Sequence, residues 1–357
     1  MHKTSVLTTY LANAGYTARE ILIVMLIAVV GAVITGVCIS DLSVYRGENA
    51  AKRDALHTAI LNNQPPAGKS WREAGANNLN VRVSVVWIAE RLSRITGNST
   101  DFIYRAMDLA ALFIALLSIH VLLKTWYLPV EAILGLILFC LLLPCTALNY
   151  YFHPWDRPML ILWTAMIFAL VNNRVIPFTL LYAISILVKF DSVMAAGMIV
   201  LLFARPSNWR RPAGTTLIVG ALGIMIWGAL LVDFPGGQEP IDVFKQIAGN
   251  FSLAVEIGID YPPLLVHGLL LALGILGWKS ATIIMRRLAV FGLLLLIPHL
   301  MFTNFVEVRS QIGTMLCLLP LALRGVLSIS ESAGWQPTRA AGGGLTYGNY
   351  NFSSETR

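Results

Sequence analysis

Two long apolar runs, AMDLAALFIALLSIHVLL (106–123) and LPVEAILGLILFCLLLPCTAL (128–148), are separated only by KTWY. Each run is close to the roughly 20 apolar residues that a helix needs to cross a bilayer. The whole chain agrees: it is 57% hydrophobic and 13% charged, against roughly 45–50% and about 25% in soluble domains. This composition excludes a water-soluble globular enzyme and predicts an all-α, polytopic transmembrane helical bundle.

Apolar runs along the chain predict about ten spans. The first follows a polar N-terminal segment, 1–20, and is long enough to remain as a spanning helix instead of a cleaved signal. Residues 159–204 hold either three short spans or two long ones, and apolar length alone does not choose between them. The transmembrane domain extends over 21–329, and its ten predicted spans are 21–40, 106–123, 128–148, 159–171, 175–187, 193–204, 215–231, 263–276, 288–302 and 312–327.

The basic residues favour three spans in 159–204. Lysine and arginine in short loops tend to stay in the cytoplasm, and three spans collect thirteen of them on one side. Two spans would destroy this asymmetry. We therefore predict that both termini are cytoplasmic, with a disordered tail at 330–357, and that the net charge of +7 reflects membrane orientation and not nucleic-acid binding. The short extracytoplasmic loops then carry only Arg157, Lys189, Lys245 and Arg309.

The loop 41–105 is too long for a simple connection, so we predict interfacial helices in it. Apolar residues recur at helical spacing between Val81 and Ile95, which is typical of a helix lying on the membrane surface. A weaker pattern at 44–61 predicts a second surface helix. Cys38, Cys140, Cys145 and Cys317 lie in or beside apolar runs without metal-ligand spacing, so they are interpreted as packing residues and no metal site is predicted.

Polar residues from distant loops reach the extracytoplasmic face under this topology. Ionisable groups at membrane depth are expensive and usually mark a cavity or a reacting site, although each of these residues taken singly could be a solvated helix end or an interfacial anchor. The lone histidines His120, His267 and His299 are interpreted as structural. The candidate site residues are Asp41, Tyr45, His153, Asp156, Arg157, Lys189, Asp191, Glu307 and Arg309.

Carboxylates beside cations at a membrane face suit transfer from a phosphate-activated lipid. A carboxylate can take the proton of an attacking hydroxyl, and Arg or Lys can neutralise a departing phosphate. The chain resembles the GT-C superfamily of membrane glycosyltransferases in four predicted features. These are a first span from a cytoplasmic N-terminus, an acidic residue at the start of a large first external loop (Ser40, Asp41, then Tyr45), surface helices in that loop, and about ten spans. The polar groups Asp156-Arg157-Pro158 and Glu307-Val308-Arg309 are similar to external helix ends in that superfamily.

The resemblance implies an inverting glycosyltransferase with Asp41 as the general base. It also implies a polyprenyl-phosphate-linked sugar donor, a glycan or lipid acceptor and a location in the bacterial inner membrane. Many members have two adjacent acids where this chain has Asp41-Leu42, so the metal requirement stays open. Arg309 is the first choice for the phosphate, ahead of Arg157 and Lys189.

The remaining site residues are assigned to the substrate. Arg157 could instead pair with Asp156, and Lys189 with Asp191. Glu307 could orient Arg309 or bind a sugar hydroxyl, and His153 could bind the sugar or the phosphate. Three other classes stay open. They are a transporter or flippase of a lipid-linked or anionic substrate, an O-acyltransferase that uses His299 or His267 as its base, and a purely structural membrane subunit that uses the large loop as a docking surface.

Overall fold

In the computed structural model the chain is helical through most of the residues it describes, which are 17–40, 83–147, 155–233, 242–303, 305 and 307–333, with isolated positions at 62, 64 and 68. No strand occurs among these residues, so the all-α prediction is confirmed for them. Their α-helices are α1 (Ala18–Ser40), α2 (Val83–Thr96), α3 (Thr100–Leu123), α4 (Pro129–Leu142), α5 (Asp156–Val171), α6 (Val175–Val188), α7 (Gly197–Phe203), α8 (Arg210–Asp233), α9 (Val243–Ile257), α10 (Pro262–Gly277), α11 (Ile283–Phe302) and α12 (Ile312–Ser332).

Seven helical segments of the described chain are long and apolar enough to cross a membrane, which makes the protein an integral membrane protein by length and composition. They contain α1, α3, α4, α8, α10, α11 and α12. The remaining three predicted spans correspond to shorter segments: α5, α6, and a 3₁₀ helix at Phe190–Ala196 continued by α7. The count of ten crossings therefore remains a prediction.

The breaks between the three short segments fall where the sequence predicted them. Asn173 has a positive φ of 56° between α5 and α6, a conformation in which asparagine is several-fold enriched. Lys189 is extended and ends α6. The short helices are well buried among their neighbours: Leu170, Tyr182 and Met198 are each inaccessible to solvent. Short broken helices are tolerated at membrane depth when protein surrounds them.

Several helices extend beyond the apolar runs that predicted them, either at their start or at their end. Helix α3 starts at Thr100, before the predicted span 106–123, and the Ser99 hydroxyl accepts a hydrogen bond from the Phe102 amide (3.3 Å). An ion pair between Asp101 and Arg105 (3.2 Å) also supports the first turns. Similarly, α12 continues to Ser332, past the predicted start of the tail at 330. Helical hydrogen bonding continues through polar turns that a hydropathy pattern leaves out.

A helix, α2, does form where the sequence predicted one before the second span, whereas its position on the membrane surface stays a prediction. Val85 and Ala89 are buried, whereas Trp87, Ile88 and Ile95 are exposed. The helix packs on α3 and α6, and the Ser84 hydroxyl donates to the Leu187 carbonyl (2.9 Å). The second surface helix predicted at 44–61 and most of the tail 330–357 lie outside the described residues.

The centre of the bundle is α12, of whose apolar segment 78% is buried, compared with 11% for α8. It packs on α4, α5, α10 and α11. A Cβ added to Gly325 would lie 1.8 Å from the Leu273 carbonyl oxygen, so α10 and α12 approach each other at backbone distance. Small residues permit such close approach between membrane helices.

The bundle has two chemically different ends. We call the end where α5 and α12 begin the polar end, and the end where α6, α8 and α11 begin the basic end. At the basic end, buried Glu20 joins α1 to α3 through His120 (3.1 Å) and Lys124 (3.0 Å). This contact confirms the structural interpretation of His120.

Candidate membrane-embedded polar site

Five charged side chains gather at the polar end, and we call them the aspartate cluster: Asp108, Asp156, Arg157, Lys189 and Asp191. Lys189 lies at its centre, where its Nζ is 3.3 Å from Asp156 Oδ1 and 3.0 Å from Asp191 Oδ2. Asp156 and Lys189 are only 4% and 7% exposed. The pairing of Lys189 with Asp191 was one of the two predicted alternatives, and the structure confirms it.

Arg157 does not pair with Asp156, as the sequence had suggested it could. Its Nε is 3.8 Å from Asp108 Oδ1 on α3, and its Nη1 donates to the Thr146 hydroxyl (3.1 Å). Asp156 and Arg157 are neighbours on α5, so their side chains leave the helix about 100° apart and meet different partners. Thr146 belongs to a 3₁₀ helix, Leu143–Ala147, that extends α4 toward the cluster.

A hydroxyl network holds Lys189 in place. After α6 ends, the Ser192 hydroxyl donates to the Lys189 carbonyl (2.8 Å), and the Ser185 hydroxyl donates to Ser192 Oγ (2.9 Å). Ser185 and Ser192 are buried. These bonds satisfy polar groups at the break between α6 and the following 3₁₀ helix, and they fix the direction in which Lys189 leaves the chain.

A small cavity borders the cluster. Its volume is about 20 Å³, which is enough for about one water molecule, since a water needs roughly 10–15 Å³ by this measure. His299 from α11 and Ser310 from the 3₁₀ helix Val308–Gln311 complete its polar wall. The apolar wall includes Met159 and Trp163 of α5. Segments that are distant in sequence therefore line this cavity with both polar and apolar side chains.

The segment before α12 is fixed by Gln311. Its side-chain amide donates to the Phe305 carbonyl (2.6 Å), and its Oε1 is hydrogen-bonded to His267 Nε2 on α10. His267 therefore has the structural role that the sequence predicted. The Ser310 hydroxyl donates to the Glu307 carbonyl (2.8 Å), so Glu307 is adjacent to the cavity wall.

The other predicted site residues are only partly described. Asp41, Tyr45 and His153 lie outside the described residues. Arg309 belongs to the 3₁₀ helix Val308–Gln311, and the described geometry does not extend to its side chain. Helix α1, however, ends at Ser40, immediately before Asp41, and it contacts the 3₁₀ helix that carries Thr146.

Sequence reasoning missed two members of this site. Asp108 was counted within an apolar span, although a single aspartate in such a run is itself a signal of a buried partner. His299 was interpreted as structural, with a role as an acyltransferase base left open, and it was not placed among these residues; the structure brings it to the wall of the polar cavity. Pro298 beside it lies inside α11, and a proline within a predicted span could have indicated a special position.

A second, larger groove lies at the basic end, and we call it the arginine groove. It has a volume of about 1340 Å³ and is lined by Arg205, Arg211 and Arg287 together with apolar residues of α5, α7 and α11. Arg287 Nη1 donates to the Leu202 carbonyl at the end of α7 (2.9 Å). The polar cavity and the arginine groove are thus at opposite ends of the same helical interface.

No protein-family model matches the chain, and comparisons with curated proteins and with solved structures found no significant match. Among the described residues, no three His, Cys, Asp or Glu side chains are placed so that they could hold a metal ion together. The function is therefore argued from the geometry of the two ends.

Proposed function

We propose that this protein is a membrane glycosyltransferase that moves a sugar from a polyprenyl-phosphate donor to an acceptor hydroxyl at the extracytoplasmic face, with inversion. One observation carries the proposal: charged residues from α3, α5 and the segment after α6 meet at one end of the bundle. The helix that leads to Asp41 contacts the same end. A reacting site at a membrane face needs this convergence, because solvation there is poor and charges must be held by other charges.

In the proposed reaction, Asp41 accepts the proton of the acceptor hydroxyl as its oxygen attacks the anomeric carbon. The bond from that carbon to the phosphate oxygen breaks, and its electron pair leaves with polyprenyl phosphate. A positioned general base of this kind contributes about 10²–10⁴-fold to the rate. The single displacement inverts the configuration of the anomeric carbon.

The charge of the aspartate cluster supports Arg309 as the phosphate ligand. With three aspartates, Arg157 and Lys189 ionised, the formal charge of the cluster is −1, and both cations already contact carboxylates. An incoming phosphate would be repelled by such a cluster. Arg157 and Lys189 are therefore better suited to holding the carboxylates in position, and Arg309 to neutralising the leaving group.

The carboxylates themselves suit sugar hydroxyls. Asp191 is the more exposed partner of Lys189, with 26% of its side chain accessible, and it lines the cavity with His299. In the proposal Asp191, Asp156 and Glu307 bind donor or acceptor hydroxyls, with His153 and Tyr45 contributing from the adjacent loops. The cavity volume of about 20 Å³ requires the site to widen before a sugar enters.

The test is sugar transfer by the purified protein in lipid nanodiscs, using a panel of polyprenyl-phosphate hexoses and pentoses with membrane lipid and glycan acceptors, followed by mass spectrometry. We expect transfer by the natural protein and a loss of about 10²-fold or more in Asp41→Asn. Asp260→Asn is the matched control, because Asp260 is an exposed acid before α10 and lies outside the cluster. Normal turnover by folded Asp41→Asn would overturn the assignment of the base.

A transporter or flippase of a lipid-linked or anionic substrate is the second candidate. It is favoured by the fact that α5 and α11, with the segment that ends in α7, line both the polar cavity and the arginine groove. Alternating access proceeds by rocking of one group of helices against another, and an interface with a cavity at each end suits such a movement. In proteoliposomes, movement of an intact polyprenyl-phosphate sugar between leaflets, without sugar transfer, would favour this candidate.

A further inference from the structure

We infer that the arginine groove binds the phosphate headgroup of an anionic phospholipid. The groove is lined by three arginines together with apolar residues, and its volume of about 1340 Å³ exceeds the roughly 300–1,000 Å³ of common small-molecule pockets. Basic pockets between membrane helices on the cytoplasmic side are suited to lipid headgroups. This site is independent of the proposed transfer reaction.

The charge of the groove is one-sided. Arg205 and Arg211 are exposed and Arg287 is partly buried, and among the described residues that line the groove there is no aspartate or glutamate. The lining of the polar cavity differs in this respect, since it includes Asp156 and Asp191. A phosphate with a net negative charge would complement the groove, and arginine binds phosphate oxygens through its planar fork of donors.

Helix directions add to this field. The helices α6, α8 and α11 all begin at the basic end, and residues from their first turns, Val175, Arg211 and Ile283, line the groove. The N-terminal end of a helix carries a partial positive charge and unpaired amide groups, which favour anions. Three such ends at one groove strengthen the attraction that the arginines provide.

The apolar wall selects a lipid over a soluble anion. Below the arginines the wall is formed by side chains such as Leu170, Ile199 and Phe203. A free phosphate or nucleotide would leave this apolar surface uncovered, whereas the acyl chain of a phospholipid would cover it. The predicted topology also gives the basic end a cytoplasmic position, where a leaflet with anionic lipids attracts arginine and lysine.

The groove is separate from the proposed reacting site. Leu170 at the groove and Asp156 at the cluster are fourteen residues apart on α5, which corresponds to about 21 Å along the helix. Buried residues such as Met166 fill the intervening core. Loss of lipid binding at the groove and loss of sugar transfer at the cluster can therefore be observed separately.

The chain contains its own matched controls. Arg210 and Arg211 are adjacent and both exposed, but only Arg211 lines the groove. Arg286 and Arg287 are adjacent and both partly buried, but only Arg287 lines it. Each pair permits the same loss of one positive charge inside or just outside the groove.

The experiment measures lipid binding by the delipidated, detergent-solubilised full-length protein with native mass spectrometry. The probes are phosphatidylglycerol, phosphatidylcholine and inorganic phosphate. We expect binding of phosphatidylglycerol, weakened about tenfold or more in Arg211→Gln, because the variant loses a charged hydrogen bond to the phosphate. Arg210→Gln should retain it. Because Arg287 also bonds to the Leu202 carbonyl, Arg287→Gln against Arg286→Gln is the second comparison.

Three results would overturn the inference. Equal losses in Arg211→Gln and Arg210→Gln would indicate general surface attraction. Equal binding of phosphatidylcholine would remove the role of the net charge. Displacement of phosphatidylglycerol by millimolar inorganic phosphate would identify a soluble-anion site instead of a lipid site.

Discussion

The aspartate cluster and the arginine groove both place charges at the end of an apolar bundle, but they manage those charges differently. In the cluster, buried cations contact buried carboxylates of the same chain, and the adjoining cavity is about 20 Å³. In the groove, the charged lining residues are all arginines, and they border an open space of about 1340 Å³. The cluster is organised around internal ion pairs, whereas the groove offers its charge to an external anion.

This difference has an energetic consequence. Breaking a buried ion pair by removing one partner leaves an uncompensated charge and is costly. Removing one of several exposed like charges has a small effect. Substitutions at the two ends should therefore separate into stability effects at the cluster and binding effects at the groove.

The largest effect is expected for Lys189→Met. This change leaves Asp156 and Asp191 without the ammonium group that lies 3.3 and 3.0 Å from them. We expect a loss of about 3–5 kcal/mol in the free energy of unfolding, because one partner of a buried ion pair is removed. Unfolding in mixed detergent micelles, monitored by tryptophan fluorescence, measures it. Adding Asp156→Asn should recover part of the loss, and no recovery would contradict the ion-pair interpretation.

A smaller effect is expected for Arg157→Met. The variant loses the Asp108 contact at 3.8 Å and the hydrogen bond to Thr146, for which we expect a loss of about 2 kcal/mol. The same unfolding measurement applies. The double variant Asp108→Asn with Arg157→Met should be more stable than Arg157→Met alone, since it no longer contains the unpaired carboxylate. Equal stability of the two variants would show that Asp108 is not charged in the folded protein.

At the basic end, Glu331→Gln should cost less than 1 kcal/mol. Glu331 makes a two-point contact with Arg324 (3.1 and 3.2 Å), but the pair is solvent-exposed, and exposed pairs contribute about 0.2–1 kcal/mol. Salt screens such pairs, since the Debye length falls from about 10 Å at 0.1 M to about 3 Å at 1 M salt. The difference in the free energy of unfolding between the variant and the natural protein should therefore shrink over this range. A larger loss in the free energy of unfolding that does not depend on salt would contradict the distinction between exposed charges at the basic end and buried ion pairs at the polar end.

The smallest effect on stability is expected for Arg211→Gln in lipid-free detergent. Arg211 is exposed in a groove of like charges, so we expect a change within about 0.5 kcal/mol. The same variant should lose the stabilisation that added phosphatidylglycerol gives to the natural protein. A large loss without lipid would mean that Arg211 supports the fold, and the comparison between the two ends would fail.

Much of the fold was predictable because membrane helices obey a local rule. An apolar run of sufficient length must form its hydrogen bonds within itself in lipid, so the runs at 106–123 and 128–148 predicted α3 and α4. The breaks near Asn173 and Lys189 were also predictable from polar interruptions. The starts of α3 at Thr100 and α11 at Ile283 were not, since capping and helical continuation depend on polar residues that hydropathy ignores.

The candidate site was predictable in part. Alternation of spans predicted that Asp156, Lys189 and Asp191 would share one end, and the structure confirms this. Asp108 and His299 were missed because their roles depend on which neighbours face them across the bundle. Arg157 likewise pairs with Asp108 on α3 and not with the adjacent Asp156, which only the packing of α3 against α5 could show.

Apolar length and composition along the chain were enough to predict an integral membrane protein with an all-helical fold, because both are local properties of the sequence. The tertiary structure alone decided which charges pair, how small the polar cavity is, and which two of the four arginines at 210–211 and 286–287 face the groove. The physical reason is that pairing and cavity shape depend on the rotation and packing of helices against one another. That packing joins residues such as Asp108 and Arg157, which are far apart in the sequence.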